Sequence, residues 1–147
     1  MALRFSSGLR TALAGTMGLR QILEGGLIDI YTGGQPASAD YAETGSKLVR
    51  ISVASGTYAT SGLQFGTCAA GVLPKSGTSW SGVVSLAGVA GYFRFYGTAG
   101  TSGSSAVENR IDGNVGLSGS DLVLANSSLV LNATVTVDTF QLTVPAS

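Results

Sequence analysis

The chain has 147 residues, eight basic and eight acidic, with no histidine and a net charge of zero. That length suits one domain rather than two, and the absence of any apolar run near ~18 residues leaves no segment able to cross a membrane as a helix. The neutral balance with no Lys/Arg-rich run argues against broad nucleic-acid binding through phosphate neutralisation, and the missing histidine removes Ser-His-Asp and Cys-His catalysis and the usual zinc sites.

Only 11% of the residues are charged, against roughly 25% in an average domain. A chain so poor in charge is expected to cover its surface with Ser, Thr, Gly and other protein, as a subunit of an assembly does. Its 22 glycines stand between Val/Ile/Leu/Thr runs, which predicts many short strands joined by tight turns. The expected fold is therefore mainly β, a β-sandwich or jelly roll of short antiparallel strands preceded by a short helical N-terminal segment. Residues 1–26 form that segment, and 27–147 form a single β-sandwich domain.

Residues 1–24 carry Arg4, Arg10 and Arg20 and no acid before Glu24. Leu9 and Leu13 are four apart, as are Leu19 and Leu23, which predicts one or two short helices, the second ended by Gly25-Gly26. Ala12-Leu13-Ala14 resembles a signal-peptide cleavage site, but Arg10 interrupts the apolar run that should precede it. The segment reads either as a lid closing one end of the sandwich or as an arm reaching a neighbouring subunit. An arm would need a partner, because short isolated helices are marginal in water.

Residues 27–31, LIDIY, predict the first strand. Residues 32–46 form a loop longer than most, with Asp40 and Glu43 as its only charges, and loops of this length often carry function. Residues 48–53 predict the next strand, with Leu48, Arg50 and Ser52 opposite Val49, Ile51 and Val53, and Ser55-Gly56 a turn. Leu63 and Phe65 alternate and should point inward. Cys68, with no neighbouring histidine, lysine or arginine, reads as a packed thiol. As a single cysteine it forms no intrachain disulfide, which leans toward a reducing compartment.

The stretch 80–97, WSGVVSLAGVAGYFRFYG, holds the only tryptophan. It reads as two strands around Gly88 and Gly91, paired as a hairpin or joined by a tight crossover. In YFRFY, alternation places Phe93 and Phe95 on one face, the best candidate for the core centre, and Tyr92, Arg94 and Tyr96 on the other. Arg94 is then either a solvated arginine whose stem covers apolar surface or an anchor at a protein–protein interface.

Residues 97–105 predict an exposed loop and 107–111 an edge strand, and Asp112-Gly113 is a turn signal. Asp112-Gly113-Asn114 with Asp121 has a faint likeness to a calcium loop, but it lacks the EF-hand spacing and terminal glutamate, so a plain turn is expected. Residues 122–124 and 129–131 flank a polar connection. Residues 133–144 alternate most cleanly of all, but the apolar side switches from Val135/Val137 to Phe140/Leu142/Val144. That predicts either a bulge near Asp138-Thr139 or two partly buried faces, with Pro145 ending the strand. No P-loop, dinucleotide fingerprint or marked carboxylate pair is present, so no cofactor, no metal and no enzymatic activity are expected.

Several stretches together resemble one family. MALRFSSGLRTALAG, LIDIYTGGQPASADYAETG, WSGVVSLAGVAGYFRFYG, IDGNVGLSGSDLVL and VTVDTFQLTVPA are similar to small structural proteins encoded by tailed bacteriophages and prophages. The resemblance covers most of the chain in order, and it carries no catalytic motif. It implies a virion protein assembled in the host bacterial cytoplasm, and, by analogy of fold and role, a capsid cement or decoration subunit. The implied partners are the major capsid protein and further copies of the same chain, in a homo-oligomer within the virion. The expected contact residues are Arg4, Arg10 and Arg20 on the arm, Gln35, Asp40, Tyr41 and Glu43 on the 32–46 loop, and Tyr92, Arg94 and Tyr96. On this reading the sandwich is a rigid body, and removing residues 1–24 would leave the β fold intact. The alternatives are a head–tail connector or tail-associated subunit, and a host-surface or carbohydrate-binding module stacking sugars on Trp80, Tyr92 and Tyr96.

Overall fold

The computed structural model describes residues 3–53, 62–97 and 100–144. The chain is mainly β, with short antiparallel strands around one apolar core and two short helices near the N-terminus. In order these are β1 (Arg4–Phe5), α1 (Ser7–Ala14), α2 (Leu19–Leu23), β2 (Leu27–Thr32), β3 (Lys47–Ile51), β4 (Val72–Pro74), β5 (Trp80–Val83), β6 (Gly88–Tyr96), β7 (Arg110–Gly116), β8 (Leu122–Val123), β9 (Ser128–Leu129), β10 (Thr134–Val137) and β11 (Gln141–Thr143). The turn expected at Ser55-Gly56 and the stop at Pro145 lie outside the described residues.

The main sheet runs β1-β7-β6-β2-β3, with β8 added to β7 and β9 to β6. Its register lines residues up in rows across the strands. One row is apolar, Phe5–Ile111–Phe95–Ile28–Ile51, and the row of Phe93, Ile30 and Val49 faces the same way. This face packs on the two-stranded sheets β5-β10 and β4-β11. At the centre Trp80 meets Phe65 edge-on at 5.5 Å, Phe140 at 5.6 Å and Phe95 at 6.4 Å, and Phe93 meets Phe140 at 5.9 Å. The Phe93/Phe95 pair is thus the core centre that alternation predicts, and Leu63 and Phe65 point inward as expected.

The stretch 80–97 is not a hairpin: residues 84–87 carry the chain from one sheet to another. β5 pairs with β10, whereas β6 lies between β2 and β7. Gly88 and Gly91 are strand residues. A Cβ on Gly91 would lie 1.9 Å from the Gly33 carbonyl oxygen, so glycine is required there by close backbone approach and not by a turn. Asp112-Gly113 is likewise mid-strand, and the edge strand expected over 107–111 is instead β7, enclosed between β6 and β1. A side chain on Gly113 would collide with the Phe93 ring at 2.6 Å and with Leu3 at 2.8 Å, so its absence makes room for the core.

The long strand over 133–144 is two strands. β10 pairs with β5 and β11 with β4, and the switch of apolar side marks the change of partner around Asp138-Thr139. Cys68 is exposed, not packed, on the loop before β4.

The N-terminal residues are integral to the fold, not a free arm. β1 pairs with β7, and Leu9, Ile22 and Leu23 are buried in the common core. Ser6 caps α1 by accepting from the Leu9 amide at 3.2 Å. The same buried hydroxyl donates to the Glu108 carbonyl at 2.7 Å and accepts from the Arg110 amide at 2.9 Å, so the cap is also a tie to β7.

Candidate functional site

The second face of the main sheet carries its chemistry. Five strands each place a charged residue between neighbours that point to the core: Arg4 on β1, Asp112 on β7, Arg94 on β6, Asp29 on β2 and Arg50 on β3. The register sets these five side by side across the sheet, with signs alternating from strand to strand. Arg94 and Asp112 are fully buried and paired in two parallel bonds, Nε to Oδ1 at 2.6 Å and Nη2 to Oδ2 at 2.7 Å. Arg50 makes the same bidentate contact with buried Asp29, both bonds 2.7 Å.

The loop 33–46 lies as a strap over the part of this row around Arg94 and Arg4. Arg94 Nη1 donates to the Tyr41 carbonyl at 2.9 Å and to Glu43 Oε1 at 3.0 Å. Tyr96 donates its hydroxyl proton to the same Oε1 at 2.6 Å, and the Gly103 amide donates to Oε2 at 2.9 Å. The Tyr92 hydroxyl donates to the Thr44 carbonyl at 2.8 Å and accepts from its amide at 2.9 Å. Asp40 accepts from the Ser7 amide at 2.7 Å and hydroxyl at 2.5 Å, and Arg4 donates to the Pro36 carbonyl. Buried Arg110 binds the 100–109 loop through the carbonyls of Gly103 at 2.6 Å and Thr101 at 2.5 Å, with its guanidinium 5.7 Å from the Tyr96 ring centre.

Several expected contact residues therefore face inward. Arg94 is neither a solvated arginine nor a surface anchor, and Tyr92 and Tyr96 are buried, Tyr92 stacked on Tyr31 at 5.1 Å. The reason is tertiary: two loops cover what a lone strand would present to solvent. With Trp80 buried as well, the proposed sugar-stacking set is not on the surface. Arg20 is spent on Glu24 at 2.6 Å and on the carbonyls of Phe65 and Gly66. Glu43 is the latch of the strap. Gln35 is half-buried, with an amide that meets no hydrogen-bond partner among the described residues. Arg10 and Tyr41 remain exposed. The site residues that sequence reasoning missed are Asp29, Arg50, Arg110 and Asp112; Asp29 and Arg50 each carry the signal of a charge between two apolar strand residues, whereas Arg110 opens β7 beside Asn109 and Glu108.

Burial alone would raise the Glu43 carboxyl, but the Tyr96 hydroxyl, the Gly103 amide and the charge of Arg94 together hold it below the ordinary carboxylate range. Asp40 is also lowered, chiefly by the Ser7 hydroxyl. Arg94 is raised: burial works against its charge, but the bonds and charge of Asp112 prevail. For Asp112, burial weighs most and pushes the carboxyl up against the pull of Arg94. Burial also raises Tyr31, Tyr92 and Tyr96, so their hydroxyls stay protonated as the strap requires.

Lowered carboxylates stabilise the folded state above their unfolded pKa, near ~4, and that contribution is lost as pH falls through the folded values. The strap is therefore expected to loosen below about pH 4. Amide hydrogen exchange at Gly103, the donor to Glu43, reads this directly. Glu43→Gln is expected to reduce Gly103 protection at neutral pH by about ten- to a hundredfold, the worth of a hydrogen bond to a charged group. Unchanged protection in that variant would show that Glu43 does not hold the strap.

Among the described residues no cluster of His, Cys, Asp or Glu could hold a metal. Asn114 and Asp121 exchange reciprocal 3.1 Å bonds between side chain and amide, closing the β7–β8 connection as a structural turn. A groove of about 720 Å³ is lined by Lys75, Asp121, Asp138 and Gln141 among others. Its lysine is spent on the carbonyls of Ser76 and Thr78 at 3.1 and 2.6 Å. No family model matches the chain, and neither a curated protein nor a solved structure matches it.

Proposed function

We propose that the protein is a structural subunit of a tailed-bacteriophage virion, a capsid cement or decoration protein that binds across shell subunits. The observation that carries this reading is Tyr41. Its carbonyl is bound by the buried Arg94 at 2.9 Å while its side chain stands 58% exposed. A large amphipathic ring held in solvent by a fixed backbone has already lost much of the entropy that binding would cost, and tyrosine is enriched at the centres of protein interfaces. The adjoining loop presents Val107 at 83% exposure, and Asp40 and Ser104 tie the two loops together through Ser105 and Ala42. Arg10, next to the Asp40–Ser7 contact, supplies an exposed charge on the same surface. This is a rigid, nearly neutral contact face, the kind that stabilises a shell by binding its assembled form and not its free parts.

Tyr41→Ala is expected to weaken cosedimentation with particles lacking this protein by about ten- to a hundredfold, with an unchanged melting temperature because the ring packs against little. Binding equal to wild type would remove Tyr41 from the interface. Copy number in purified virions, measured against the major capsid protein, tests the role itself. A simple fraction of the capsid subunit count supports decoration, a handful per particle moves the protein to the connector or tail, and absence from the particle ends the virion reading.

A further inference from the structure

A second part of the surface has a different character. Residues 76–93 and 122–137 contain no charged side chain, and the fold brings both to one place. β5 pairs with β10, and the connections beside them are bonded, the Asn132 amide to the Val84 carbonyl and the Val84 amide to the Ala133 carbonyl, both at 2.9 Å. Five large apolar side chains are exposed there: Val83, Leu86, Val89, Val130 and Leu131. Together they present on the order of 500 Å², a size at which an apolar patch on a monomer tends to be functional.

The patch adjoins a strand edge. In an antiparallel ladder bonded and non-bonded pairs alternate. With Val84 bonded to Ala133 and the register Gly82↔Val135 and Trp80↔Val137, residues 133, 135 and 137 turn their backbone groups to β5. The N–H and C=O groups of Thr134 and Thr136 point the other way and meet no backbone partner among the described residues. That side borders a groove of about 170 Å³ walled by Leu124, Leu129 and Val130. β10 itself carries neither a charge nor a proline; it is a four-residue strand with the exposed Asp138 directly after it.

We propose that β10 pairs with β10 of a second copy of this chain, antiparallel about a two-fold axis, to make a continuous sheet β5-β10-β10-β5. Thr134 of each copy then lies opposite Thr136 of the other, exchanging both backbone bonds, with Val135 at the axis. The exposed threonine side chains meet as cross-strand pairs. In a two-fold contact the residues at the axis meet their own copies, so a charge there would face its like, and β10 has none; Asp138, the next residue, falls opposite Asn132 of the other copy in this register. The same neutrality offers nothing to an acidic or basic partner. The inference is independent of the virion role, because it concerns the isolated protein.

Sedimentation velocity over a concentration series tests it, with the full chain. Wild type is expected to pass from monomer to dimer, and the Thr134 and Thr136 amides to exchange more slowly as concentration rises. Thr136→Lys places an ammonium opposite Thr134 of the other copy and beside its own image. It is expected to raise the dimer dissociation constant at least about tenfold, with an unchanged circular-dichroism melt because that side chain is in solvent. Adding Thr134→Glu sets opposite charges across the proposed register and is expected to restore the dimer. A wild type that sediments as a monomer throughout overturns the proposal. So does a dimer that Thr136→Lys leaves intact, or one that forms while the two amides stay unprotected.

Discussion

Replacing Asp112 by alanine is expected to cost about 3–5 kcal/mol of folding stability, enough to leave the protein largely unfolded at physiological temperature if its total lies at the low end of the usual ~5–15 kcal/mol. The size follows from what remains. Arg94 has no exposed surface, and Asp112 takes two of its guanidinium bonds. Without the carboxylate a buried cation keeps only Glu43 and the Tyr41 carbonyl. Removing one partner is the expensive change. Replacing both, as in Arg94→Met with Asp112→Leu, is expected to recover most of the loss, because the pair repays its own desolvation poorly. Urea denaturation of the two single variants and the double variant gives the coupling energy. A loss below about 1 kcal/mol for Asp112→Ala would mean that water reaches Arg94 and that the strap is not closed. The exposed Arg20–Glu24 pair is the control: it is open to solvent and screening, and its loss is expected to matter little.

Deleting residues 1–24 is expected to abolish the fold, against the expectation that they form a detachable arm. Leu9, Ile22 and Leu23 lie in the common core, and burying each is worth about 1.5–3 kcal/mol. The deletion also strips β1 from the edge of β7, and takes Ser6 from the Arg110 amide and Ser7 from Asp40. The losses sum to about the whole stability of a small domain. Far-ultraviolet circular dichroism of the truncated chain decides it. A native β spectrum with a cooperative melt would reinstate the arm. The milder variant Leu9→Ala, expected to lose about 2–5 kcal/mol, keeps the test informative if the truncated chain does not express.

Much of the fold is legible in the residues. Period-two alternation marks Leu27–Thr32, Lys47–Ile51 and the YFRFY core of β6 as strands, and the leucine spacing marks both helices. The candidate site was half legible. Leu3-Arg4-Phe5, Ile28-Asp29-Ile30, Val49-Arg50-Ile51 and Phe93-Arg94-Phe95 each place one charge between large apolar residues, and Ile111-Asp112-Gly113 does so with a glycine on one side. Read together, charges of both signs set singly between apolar residues on five strands are a sign that they meet one another rather than water. Taken singly, each reads as a strand with one wet face, which is how Arg94 came to be expected at the surface. The glycine signals misled for a related reason. Gly91 and Gly113 look like turns locally, but the need for glycine comes from Gly33 and Phe93, which are distant in sequence.

What is local can be read from the residues: most strand and helix positions, the two faces of a strand, the aromatic centre at Phe93 and Phe95, and a surface poor in charge. Alternation is a property of one strand and says nothing of its neighbours. Packing between distant parts of the chain sets β6 between β2 and β7, brings five charges into one row, and closes the 33–46 strap over that row at Arg94. Burial of a polar face depends on what covers it, and the cover comes from elsewhere in the chain.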